Sequence, residues 1–153
     1  MSKTIAILFG TFFGIGYLPF IPGTFGSMAG VVLFYLFNAN TAAYILFTFI
    51  LIILGILIGR KIEEIFGRKD PPCVVIDEVA GMLLALVFIK PDIKLVILGF
   101  VFFRLLDTLK PYPAGRLQGL RGGLGIVTDD VVAGIYTNLI LHAILKFASF
   151  TAS

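Results

Sequence analysis

Residues 4–59 contain not one charged side chain. A soluble domain of ordinary composition does not tolerate such a stretch, because charged residues make up about a quarter of a typical soluble chain. Within it, TAAYILFTFILIILGILIG at 41–59 supplies 19 uncharged, mostly apolar residues in a row, close to the roughly 20 that an α-helix needs to cross a bilayer. Over all 153 residues, 59% are hydrophobic and 14% charged, and mean hydropathy is +1.06. These features describe an integral membrane protein. Lipid offers no water to open backbone groups, so the spanning elements are expected to be helices. Length fits a single domain over 1–153.

Five apolar stretches read as helices that span wholly or in part: 26–37, 41–59, 77–89, 93–109 and 130–146. The first, third and fourth are shorter than a full span, which predicts broken or tilted helices. Residues 5–17 carry three glycines and stop before Pro19, so a re-entrant or interfacial helix is expected there. No small-x-small cleavage site follows this stretch, which argues against a removable signal peptide. The expected fold is an all-α, polytopic membrane bundle.

The distribution of lysine and arginine orients the bundle. Lys3, Arg60, Lys61, Arg68, Lys69, Lys110, Arg116 and Arg121 fall on one side, against Lys90, Lys94 and Lys146 on the other. Eight against three places the N-terminus and both long loops in the cytoplasm. Five carboxylates, Asp77, Glu78, Asp107, Asp129 and Asp130, then lie at cytoplasmic helix ends. The net charge of +3 is small and suits anionic lipid headgroups better than nucleic acid.

The acidic residues come in a pattern. IDEVAG at 76–81 and DDVVAG at 129–134 share D-x-x-A-G. For either pair alone, helix capping is the simple explanation, with Thr128 as cap of the last helix and both aspartates in its first turn. Capping does not account for Asp107, near the C-terminal end of its helix, where the dipole disfavours an anion. In FRLLDTLKP, Arg104, Asp107 and Lys110 are spaced three apart on one helix face, so an ion ladder with Asp107 neutralised by both cations is the simple reading, and function the preferred one. Ionisable groups in membrane helices are costly and mark function.

Five carboxylates at one level need counter-charge. Hard divalent cations with oxygen ligands, Mg²⁺ or Mn²⁺, suit a set lacking His and Cys. Arg104, Lys110 and Arg121 complement a phosphate. Two glycine-rich segments offer phosphate cradles: PGTFGSMAG at 22–30, with Thr24 and Ser27, and RGGLG at 121–125. Other phosphate chemistries lack their residues. His142 is the only histidine, expected to be a packed or hydrogen-bonded helix residue; Cys73, the only cysteine, has no arginine six residues on; no Asp-x-Asp occurs. Metal-activated water is the simplest nucleophile that remains.

PGTFGS at 22–27, IDEVAG at 76–81, FRLLDTLKPYP at 103–113 and GGLGIVTDDVVAG at 122–134 closely resemble, in this order, the phosphatidylglycerophosphatase A family. The resemblance implies a Mg²⁺-dependent enzyme of the bacterial inner membrane that converts phosphatidylglycerophosphate to phosphatidylglycerol and inorganic phosphate. The matching blocks hold Asp77, Glu78, Asp107, Asp129 and Asp130, expected from their chemistry to hold one or two Mg²⁺ ions, with one uncoordinated carboxylate as general base. Arg104, Lys110 and Arg121, the last just outside those blocks, are expected at the substrate phosphate together with Thr24 and Ser27. Tyr112 stands where the family pattern has Trp, and Thr128 where it has an aliphatic residue; neither change removes a charge. A small ion-coupled transporter or channel is the rival reading of the same acids. Their gathering at one membrane level, instead of along a route across it, argues against that.

Overall fold

The computed structural model describes residues 2–151, and all regular structure among them is helical: α1 (Lys3–Gly10), a 3-10 turn (Ile15–Tyr17), α2 (Pro22–Phe37), α3 (Thr41–Phe66), α4 (Ile76–Ala85), α5 (Ile93–Leu109), α6 (Ala114–Leu117) and α7 (Gly123–Thr151). Two of them, α3 and α7, are long and apolar enough to cross a membrane. α1 is short, as residues 5–17 suggested, and it packs against Ile58 and Ile62 of α3 through Gly10.

The organising element is α4. Its ten residues reach only about 15 Å at 1.5 Å per residue, yet almost every one is buried, with α2, α3, α5 and α7 all packed against it. The outer helices turn large apolar side chains outward, among them Val32, Leu46, Leu57, Leu139 and Phe147, the inside-out pattern that a lipid solvent permits.

A helix that stops inside a bundle leaves its last carbonyls without helical partners, and in an apolar setting each must find a donor. Neighbouring helices supply them. Tyr44 of α3 donates its hydroxyl to the Leu83 carbonyl. Asn138 of α7 donates through Nδ2 to the carbonyls of Ala85 at 3.1 Å and Val87 at 2.8 Å, and His142 Nε2 lies 3.3 Å from the Val87 oxygen. His142 is thus a hydrogen-bonding helix residue, as expected, and it helps to terminate α4.

Four of the five expected helices have other bounds than the sequence reading gave: α4 stops at Ala85 instead of 89, because its end turns off inside the bundle, α7 runs on to Thr151 instead of 146, and three further boundaries move. α2 begins at Pro22, not at 26: proline fits the first helical position because its missing N–H would be unpaired there anyway. α3 runs two turns past its apolar stretch, carrying Arg60, Lys61, Glu63 and Glu64. α7 begins at Gly123, seven residues before 130. Thr128 is therefore no cap: its hydroxyl donates to the Leu124 carbonyl one turn back, inside the helix, and Asp129 and Asp130 sit in the second turn.

Candidate active site

Close approach between α4 and α7 creates the site. A Cβ on Gly134 would stand 2.5 Å from the Gly81 carbonyl oxygen, and one on Gly81 would stand 2.8 Å from that of Asp130. Only glycine permits this crossing. Asp77 and Asp130 each lie four residues before their glycine, hence one turn away on the same helix face. The D-x-x-A-G repeat is therefore two halves of one contact: glycines at the crossing, carboxylates meeting beside it.

Glu78, in the first turn of α4 next to Asp77, completes a cluster. Asp77, Glu78 and Asp130 offer carboxylate oxygens all within 4.8 Å of one another. Asp77 and Asp130 are 5% and 3% exposed. Four buried oxygens here, Asp77 Oδ1, Glu78 Oε2, Asp129 Oδ1 and Asp130 Oδ1, have no hydrogen-bond partner. Burying a charge without a partner is expensive, and the three carboxylates that gather here, Asp77, Glu78 and Asp130, could hold a cation between them. An oxygen-only donor set fits a hard divalent ion such as Mg²⁺.

The flanking cations are held in place. Arg104 Nη1 pairs with Asp107 Oδ2 at 2.8 Å and donates to Ser27 Oγ at 3.4 Å. Lys110 does not join Asp107 as an even spacing of three suggested. It occupies the C-cap of α5 with φ +46°, which swings its side chain across to Asp129 of α7, with which it pairs. Burial opposes the Lys110 charge, but Asp129, Asp107 and Asp130 outweigh it and hold its pKa above the usual lysine range. Asp107 stays within electrostatic reach of Glu78 and Asp130.

A cleft of about 380 Å³ opens beside the cluster, lined by Gly23, Thr24, Arg68, Asp70, Glu78 and Arg104 among others. Gly23 makes room for it: a Cβ there would meet Glu78 Oε1 at 2.3 Å and Arg104 Nη1 at 3.3 Å. Thr24 lines this cleft, whereas Ser27 is fully buried and donates to the Gly23 carbonyl at 2.9 Å. PGTFGS is thus helical, a wall and a support for Arg104, not a loop. Arg121 lies elsewhere, in a neighbouring cavity at the junction of α3 and α7. RGGLG serves that junction, since a Cβ on Gly123 would meet the Ile56 carbonyl oxygen at 2.1 Å.

Sequence reasoning missed Arg68 and Asp70 as cleft residues. The signal was their place in RKDPP at 68–72, where Asp70 stands seven residues before Asp77; Arg68 had served only to orient the bundle. Burial pushes the Cys73 thiol up, which keeps it protonated and away from a nucleophile's role.

Comparison with known proteins agrees with the motif order. The profile of the family described as phosphatidylglycerophosphatase A matches residues 8–145. The chain belongs to the phosphatidylglycerophosphatase A family. It is 36% identical over 135 residues to phosphatidylglycerophosphatase A of Escherichia coli, covering 86% of this chain and 78% of that one. With phosphatidylglycerophosphatase A of Haemophilus influenzae it shares 34% over 137 residues, 86% and 83% of the two chains. A protein of Bacteroides thetaiotaomicron, named as a candidate phosphatidylinositol-3-phosphatase, is 34% identical over 150 residues, 90% and 91% of the two chains. No solved structure matches significantly.

Proposed function

We propose that this family member hydrolyses the terminal phosphomonoester of phosphatidylglycerophosphate, releasing phosphatidylglycerol and inorganic phosphate at the cytoplasmic face of a bacterial inner membrane that the chain crosses several times. The observation that carries this reading is the meeting of Asp77, Glu78 and Asp130 oxygens within 4.8 Å, beside a cleft lined by Arg104. The excess of lysine and arginine at the same end of the bundle supports the cytoplasmic placement.

Asp77, Glu78 and Asp130 would hold Mg²⁺, with Asp129 and Asp107 completing its surroundings. When bound, the ion supplies Lewis acidity, polarising the phosphate and making water a better nucleophile. Arg104, held by Asp107 and Ser27, presents its remaining N–H donors to the equatorial phosphate oxygens, where charge is spread during transfer. Lys110 lends a second positive charge through its contact with Asp129. Thr24 and Arg68 form the wall against which the headgroup rests. Water adds to phosphorus, the bond from phosphorus to the glycerol oxygen breaks, and that oxygen leaves protonated. The apolar outer faces of the bundle leave the acyl chains in the bilayer.

The test is phosphate release from phosphatidylglycerophosphate by purified protein, with Mg²⁺ and with EDTA, for wild type and Asp130→Asn. Mg²⁺-dependent release, reduced about 10²–10³-fold in a variant that still elutes as folded protein, is expected; removing one strong charge-stabilising group costs about that much. The name of the Bacteroides relative makes phosphatidylinositol 3-phosphate the second substrate to assay. Preference for it would keep the metal site and change the headgroup. No release from either lipid by folded wild type would overturn the phosphatase reading and favour ion transport.

A further inference from the structure

A cavity of about 800 Å³ lies outside the carboxylate cluster, where the end of α3 meets the start of α7. Four cations line it: Arg60 from α3, Arg68 and Lys69 from the α3–α4 connection, and Arg121 from the connection before α7. Two stretches far apart in sequence contribute, residues 60–69 and Arg121, so tertiary folding, not local helix spacing alone, brings the charges together.

Their counter-charges are few and already engaged. Of the two carboxylates in the lining, Glu64 pairs with Arg60 at 3.3 Å and with Lys61 at 3.4 Å, and Glu63 accepts from the Asp70 amide at 3.4 Å. Among the described residues, no carboxylate lies within ion-pair distance of Arg68, Lys69 or Arg121. Like charges gathered in one concavity concentrate an anion there, and arginine suits the paired oxygens of a phosphate.

The rest of the lining is apolar. Ile56, Leu120 and Leu124 form part of the wall. Leu57, next to Ile56, is 70% exposed, and Ile53 one turn down α3 is 41% exposed, so the apolar wall adjoins the flank that faces lipid. A ligand with a phosphate at one end and hydrocarbon at the other meets both parts.

We infer that this cavity is a second lipid site, which holds the phosphate of an anionic phospholipid outside the catalytic cleft. It does not depend on the reaction proposed above. Arg68 lines both cavities, so a lipid held there lies one side chain from the cleft.

Native mass spectrometry of the full-length protein in detergent tests this, with titration of dioleoylphosphatidylglycerol, of dioleoylphosphatidylcholine and of inorganic phosphate. One phosphatidylglycerol is expected to bind well ahead of phosphatidylcholine. Its affinity should fall about tenfold or more in the double variant Arg60→Gln/Lys69→Gln, given what each basic group is worth beside an anionic headgroup. It should return in Arg60→Lys/Lys69→Arg and remain in Arg104→Gln, which alters the cleft alone. Equal binding of both lipids, or no effect of the double variant, overturns the site. Loss in Arg104→Gln instead would put the lipid in the cleft. Displacement by millimolar inorganic phosphate would make this a free-phosphate site and refute the lipid assignment.

Discussion

The substitution Gly134→Ala isolates the geometric basis of the site without touching a charge. The added methyl would lie 2.5 Å from the Gly81 carbonyl oxygen and 3.3 Å from Leu84 Cβ, whereas ordinary contact begins near 3.4 Å. Backbone on the opposite side cannot rotate away as a side chain would. α4 and α7 must therefore part by about 0.9 Å at the crossing. Overpacking of this kind costs about 1–3 kcal/mol. The functional cost should be larger, because Asp77 and Asp130 sit one turn from the contact and separate with the helices; a misplacement of about 1 Å can cost on the order of 10²-fold in rate. The assay is phosphate release at the Mg²⁺ concentration that just saturates the wild type, and then at higher Mg²⁺, in parallel with thermal unfolding in the same detergent. An activity loss near a hundredfold in protein that remains folded is expected, with partial recovery at higher Mg²⁺ because the donor set is loosened and not removed. Activity within twofold of wild type, with unchanged unfolding, would show that the crossing does not set the carboxylate spacing, and the argument from glycine to metal site would fail.

Asn138→Leu should destabilise the bundle by about 1 kcal/mol, since the Ala85 carbonyl loses its side-chain donor and the Val87 carbonyl keeps only His142, and interhelical hydrogen bonds in membranes average near 0.6 kcal/mol with larger individual values; thermal unfolding in detergent reads this, and catalytic rate in the remaining folded protein should stay within a few-fold. Arg104→Lys keeps a charge but loses the planar fork that reaches Asp107 and Ser27 together, so KM for the lipid should rise about tenfold, and an unchanged KM would remove Arg104 from the phosphate.

The gathering of chemistry at one end of the bundle was legible because charge is scarce: among so many apolar residues, five carboxylates and their cations could be placed by counting helix ends. The local roles were harder to read. Asp-Asp after Thr128 looks like a capped helix start, yet Gly123 already begins α7, because glycine against α3 allows a close crossing that pure helix propensity does not anticipate. Lys110 was placed with Asp107 by a spacing rule that holds only inside a helix. Its left-handed conformation at the C-cap breaks the rule and sends the charge to α7. Arg121 belonged to the site by proximity in sequence to the aspartates, but six residues of helix from Gly123 carry those aspartates about 9 Å along the axis, and the arginine stays behind with α3.

The D-x-x-A-G repeat shows what a sequence holds without revealing it. Read singly, each copy is an acid near a helix start and a small residue that eases packing, two ordinary features with separate explanations. The carboxylates become a site only when the glycines face each other, since that single contact fixes the distance between Asp77 and Asp130. It also requires α4 to be short and buried, which in turn requires donors for carbonyls ending inside the bundle. Tyr44, Asn138 and His142 meet that need from α3 and α7, far along the chain from the acids they support. The polar residues at the two ends of α4 thus have opposite tasks. At its start, buried carboxylate oxygens are left unpaired, as the proposed cation site requires; at its end, donors from α3 and α7 close the helix, so the helix that carries Asp77 and Glu78 can stop inside the bundle and remain fixed.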